Sequence, residues 1–135
     1  MIKNLYGVII WDPCTLDGSK QLERVQRKFL KFAAFALRIE CQPHEYQPVL
    51  QRLHLSTLCD RRKQANLTFL TKLINGEVDS PALLSKLNFR VPSFYSRYSF
   101  PFQIPVSRCN YLVNRPIARM TKLANEDPLF LNVWQ

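Results

Sequence analysis

Apolar positions first mark out a long helix over residues 19–38. At about 100° per residue, with Leu22 set at zero, Val25, Gln26, Phe29, Ala33, Ala36 and Leu37 fall within about 60° of it, and Leu30 and Phe32 lie near the edges. Lys20, Arg24, Arg27, Lys31 and Arg38 fall between about 140° and 200°. The pattern predicts a core face containing Leu22, Val25 and Phe29, backed by a basic stripe. Asp17 or Ser19 is placed to cap the start. A second long helix is predicted over 56–75, with Ser56 as N-cap and Gly76 as its terminator. Leu58, Ala65, Phe69 and Leu73 make one apolar seam on it, and Leu67, Leu70 and Ile74 make another. Two seams predict a central helix covered on both sides, with Arg61, Gln64, Thr68 and Thr71 facing out.

Shorter elements fill the remainder. Proline in a first turn predicts helices over 48–53, 81–87 and 116–124. Residues 5–11 are apolar and closed by Asp12-Pro13, and fit either a helix end or a buried strand. They read as an element whose beginning has been cut away. From 88 to 111 the pattern changes. Pro92, Pro101 and Pro105 forbid long helices, while Phe89, Phe94, Tyr95, Tyr98, Phe100 and Phe102 crowd together. That segment is expected to be extended, with room for a short strand pair. The tail closes on Phe130 and Trp134. The expected fold is mainly α: a small helical domain over 1–87 with two longer packed helices. An extended Pro- and aromatic-rich segment with a short terminal helix follows over 88–135.

Composition adds charge to this picture. The 135 residues carry 19 Lys plus Arg against 10 Asp plus Glu, a net charge of +9. Such a surplus favours polyanions, above all RNA or DNA met through phosphate. A hydrophobic fraction of 47% excludes a disordered chain. No apolar run approaches the roughly 18 residues of a membrane span, and no small-residue cleavage site follows the N-terminal apolar run. The four cysteines fit a reduced intracellular setting, nucleus or cytoplasm, better than a disulfide framework.

Candidate chemistry is sparse. Two-metal nucleotidyl transfer needs clustered carboxylates, whereas Asp12, Asp17, Asp60, Asp79 and Asp127 are scattered. Three glycines supply no phosphate-cradling loop, so neither a catalytic residue nor a cofactor is expected. Cys41, His44, His54 and Cys59 give a C-x2-H-x9-H-x4-C spacing built from zinc-binding residue types. Cys59 falls inside the second predicted helix, and the flanking prolines are not those of a zinc knuckle. A structural cysteine and surface histidines explain the residues better, and no metal site is expected. The basic residues are more informative. Lys20, Arg24, Arg27 and Lys31 form a line at helical spacing, and Arg61-Arg62-Lys63 adds a cluster. Lys20, Arg24, Arg27, Lys31, Arg61 and Lys63 are therefore the candidate nucleic-acid contacts, with a solvated helix face as the alternative. Nearby aromatics can stack on unpaired bases, although a place in the core is the more economical reading of them.

An ordered series of residues resembles a region downstream of the polymerase core in jockey-like non-LTR retrotransposon reverse transcriptases. It begins with Tyr6…Trp11-Asp12-Pro13 and Leu22-Glu23-Arg24-Val25-Gln26-Arg27-Lys28-Phe29. It continues through Leu53-x-Leu55-x2-Leu58, Arg61-Arg62 and Phe69…Lys72-Leu73-Ile74-Asn75-Gly76. Pro81-x-Leu83-Leu84, Phe89-x-Val91-Pro92 and Arg97 close it. Asn4-Leu5-Tyr6 departs from the Leu-Glu-Tyr expected there. The resemblance implies that fingers, palm and the catalytic Asp-Asp motif would lie upstream of Met1. It implies reverse transcription for the parent, with the fingers–palm–thumb core as ancestral partner, and a chain inactive alone. The leading expectation is a nucleic-acid-contacting helical appendage. The alternatives are a packing module of the parent polymerase and a small autonomous basic DNA-binding protein.

Overall fold

The computed structural model describes residues 6–13, 15–42, 44–91, 100–106, 108–128 and 130, and the side chains of all of these except Tyr6, Asn110 and Tyr111. The expectations for Leu5, Pro92, Phe94, Tyr95, Arg97, Tyr98 and Trp134 lie outside the described residues. The fold is mainly α, with packed helices: α1 (Tyr6–Trp11), α2 (Leu16–Ala36), α3 (Gln47–Arg52), α4 (Leu58–Ile74), α5 (Pro81–Leu84), α6 (Asn110–Val113) and α7 (Pro116–Glu126). The chain groups into two compact units, residues 11–64 and residues 1–10 with 65–135. These divide the chain elsewhere than the composition shift at residue 87.

In the 11–64 unit, α2 starts where Thr15 Oγ1 accepts the Gly18 N–H at 3.2 Å, so Thr15 is the cap rather than Asp17 or Ser19. Asp17 instead lies in the first turn and accepts from Gln21 at 2.8 Å. α2 and α3 pack through Leu30, Ala33, Ala34, Val49 and Leu50, with Ile39, Tyr46, Leu53 and Leu55 at the margin. Both helices end alike. Ile39 N–H reaches back to Ala34 O at 3.0 Å and Leu55 N–H to Leu50 O at 2.9 Å, with Arg38 and His54 in the left-handed region between. This six-to-one closure satisfies terminal carbonyls and folds Ile39 and Leu55 onto the core.

The core face of α2 is a correction. Leu22 is only half-buried, and Val25, Phe29 and Leu37 are exposed, Phe29 at 52%. The buried positions are Gln26, Leu30, Ala33 and Ala34. The apolar sector of α2 spans about 160° and admits more than one covered half. α3 takes the half where two adjacent alanines allow close approach.

In the other unit, α4 contributes Leu67, Leu70 and Leu73 to a core with Ile9, Leu87, Phe102, Met120, Ala124 and Phe130. Phe69 and Ile74 are half-buried against it, so α4 uses both predicted seams. α4 ends at Gly76, whose φ of 73° closes the same six-to-one bond, Glu77 N–H to Lys72 O at 2.9 Å. α5 is shorter than predicted. Turns carry the chain on from Leu84 to the buried Leu87. Residues 6–11, ambiguous in sequence, are helical. Arg119 of α7 donates to the α1 carbonyls of Ile9 at 2.6 Å and Val8 at 3.5 Å, which gives the short helix C-terminal partners. Phe89 and Phe102 face each other in an isolated antiparallel bridge.

Candidate nucleic-acid interface

Helical spacing puts Lys20, Arg24, Arg27 and Lys31 on one side of α2, away from Leu30 and Ala33, and all four are exposed. Lys28 is exposed as well. Among the described residues, none of these five cations pairs with a carboxylate. Three acids of the 11–64 unit have other partners. Asp12 and Glu23 face Arg62, and Asp17 accepts from Gln21. The stripe is therefore a run of cations about 16 Å long at 1.5 Å rise per residue, with no ion pair among the described residues. Exposed cations so arranged offer donors to successive phosphates of a polyanion.

The Arg61-Arg62-Lys63 cluster does not form one patch. Successive residues of a helix point about 100° apart. Arg62 is buried, its Nε 3.1 Å from Asp12 Oδ1, its Nη2 donating to Ser19 Oγ at 2.9 Å, and its Nη1 3.8 Å from Glu23 Oε1. Arg61 and Lys63 are half-buried. The structure therefore keeps Lys20, Arg24, Arg27 and Lys31 together and sets Arg61 and Lys63 apart in character, as partly covered residues flanking a structural arginine.

Orientation of the stripe is fixed by polar residues that sequence reasoning passed over. Gln26 is buried on the face that packs. Its Oε1 accepts the Leu58 N–H at 2.8 Å while its Nε2 donates to Ser56 O at 3.1 Å. Glu23 Oε1 accepts the Cys59 N–H at 2.8 Å, and Thr57 Oγ1 accepts the Asp60 N–H at 3.1 Å. Three orphan donors at the start of α4 are thus satisfied, and the cap is Thr57 rather than Ser56. A polar residue at the centre of an apolar face was the available signal for Gln26. Lys28 was equally visible, one step outside the stripe.

Cys41, His44, His54 and Cys59 serve the backbone or the margin of the core. Cys41 borders the α2–α3 core, His44 and His54 hold positive φ, and Cys59 lies in the first turn of α4. Among the described residues no group of three or more His, Cys, Asp or Glu gathers as a metal set. No helix among them is long and apolar enough to cross a membrane. No family model matches the chain, and no curated protein or solved structure matches it either.

Proposed function

We propose that this chain is a non-catalytic, nucleic-acid-contacting helical appendage, of the kind that would lie behind the thumb of a jockey-like retrotransposon reverse transcriptase. One observation carries the reading: four exposed cations, Lys20, Arg24, Arg27 and Lys31, share a helix face and make no ion pair among the described residues. The ancestry rests on the ordered residues from Tyr6 to Arg97 set out above. Binding is non-specific, through phosphates of RNA or DNA, in an intracellular setting. The chain performs no polymerase chemistry by itself.

The test is binding to single-stranded RNA and to duplex DNA across a salt series, with circular dichroism as folding control. Changing Arg24, Arg27 and Lys31 together to Gln lowers the magnitude of the slope of log affinity against log salt by about two to three. Glutamine keeps helix propensity, so the fold is retained. An unchanged slope with intact helicity would sink the reading.

A second reading, a packing module for a polymerase core, is favoured by a different observation. Ile10, Trp11 and Leu16 are exposed, at 77%, 60% and 81%. Large apolar side chains left in water at adjacent positions, as Ile10 and Trp11 are, favour a protein contact. This reading expects binding that hardly changes with salt.

A further inference from the structure

Three phenylalanines of α2 follow one another at every third position, Phe29, Phe32 and Phe35, and all are exposed, the last two at 68% and 85%. Each step of three residues turns back by about 60° and rises about 4.5 Å. The row therefore leaves the apolar sector and runs into the basic face. Lys28 and Lys31 make the same step, and each lies four residues before a phenylalanine, Lys28 before Phe32 and Lys31 before Phe35. Positions four apart are surface neighbours on a helix. The surface thus repeats one unit, a cation beside an exposed aromatic face.

We propose that this row binds single-stranded nucleic acid, one nucleotide per unit, with phosphate at the lysine and the base stacked on the phenylalanine. The proposal rests on the reading that α2 meets nucleic acid, and it adds the class of strand. Charge complementarity selects the occupant. A purely apolar partner laid on Phe32 and Phe35 would bury Lys28 and Lys31 beside them, and neither lysine is paired with an acid among the described residues. A duplex would meet the cations and leave the rings in water, because its bases are already stacked. A single strand offers both chemistries at the same repeat, and stacking on aromatic rings tolerates any sequence. Beyond Phe35 lies an open concavity lined by Phe35, Arg38, Glu40 and Cys41 among others.

The experiment compares the full chain with its Phe32→Leu/Phe35→Leu variant. The probes are a short single-stranded oligothymidylate and an abasic strand of the same length, which keeps the phosphates and lacks the bases. Leucine keeps helix propensity and exposed apolar bulk while removing the ring, and circular dichroism checks the fold. The wild-type chain is expected to bind the oligothymidylate about thirtyfold more tightly than the abasic strand, the low end of what two stacked bases contribute. The variant is expected to lose that difference and to bind the abasic strand as before. Equal binding of the two strands by the wild type, or a preference that survives in the variant, overturns the stacking site. If that happens while salt-dependent binding persists, α2 still meets phosphate and only the strand class fails. Absence of salt-dependent binding to either strand overturns both proposals.

Discussion

The side-chain amide of Asn125 completes the backbone of Phe102 as a neighbouring strand would. Asn125 Oδ1 accepts the Phe102 N–H at 3.2 Å, and Asn125 Nδ2 donates to Phe102 O at 2.9 Å. The reason lies on the other side of Phe102. Arg90 N–H donates to Pro101 O at 2.9 Å and Gln103 N–H to Asn88 O at 2.8 Å, so Phe89 and Phe102 form the non-hydrogen-bonded pair of an antiparallel bridge. In such a pair the residue's own N–H and C=O point outward. Phe102 is 2% exposed, so those groups have no water, and Asn125 of α7 satisfies both.

Replacing Asn125 by Ala therefore strands two buried backbone groups and is expected to cost about 2 kcal/mol or more. Asn125→Asp keeps an acceptor for the N–H but sets a carboxylate oxygen against the Phe102 carbonyl, and should be at least as damaging at neutral pH. Urea unfolding of the two variants measures this. A change in midpoint too small to resolve for either would show that the amide is dispensable.

Gln26 does the same service for the start of α4. Gln26→Leu removes a donor and an acceptor and is expected to cost about 1–2 kcal/mol. Gln26→Glu should cost less, because a carboxylate still accepts the Leu58 N–H at the positive end of a helix. Thermal melts that rank Glu below Leu in stability would contradict this account.

Arg62 separates structural charge from the charge proposed to meet nucleic acid. Its removal leaves Asp12, 13% exposed, beside a cavity, and Arg62→Met is expected to cost about 3 kcal/mol. Adding Asp12→Asn should recover part of that loss. If the variant stays folded in the binding assay, its salt slope should match wild type, unlike that of the α2 stripe variant. A shallower slope for Arg62→Met alone would place this buried residue at the interface after all.

Two helix ends can be improved. Arg38 and His54 hold φ of 51° where glycine sits without strain, so Arg38→Gly and His54→Gly should each add about 0.5–1 kcal/mol. Gly76→Ala tests the converse. Open space surrounds the added Cβ, and the left-handed backbone alone should cost about 1 kcal/mol. Calorimetric melting temperatures of the three variants decide the matter. A lower value for both Arg38→Gly and His54→Gly would mean that these side chains contribute more than their backbone strain costs.

Most helix positions were legible from local signals, whereas α1 stood open between helix and strand and α6 had no predicted counterpart. Periodicity located α2, prolines opened α3, α5 and α7, and Gly76 closed α4. Exposure of Lys20, Arg24, Arg27 and Lys31 followed from the same periodicity, because residues opposite an apolar sector face away from whatever covers it. The sequence by itself determined these things because each is decided within one or two turns of chain.

Tertiary structure decided the rest. Nothing local says which half of a sector about 160° wide is covered. α3 took Ala33 and Ala34, and Phe29, Phe32 and Phe35 were left outside. Gln26 lay within the predicted apolar face and Asn125 just past the predicted end of the last helix, and their partners lie 32 and 23 residues away in the chain. Arg62 stood in one basic run with Arg61 and Lys63 until Asp12 reached it. A buried polar group is stable only where a partner is brought to it, and that meeting is a property of the folded chain rather than of the segment.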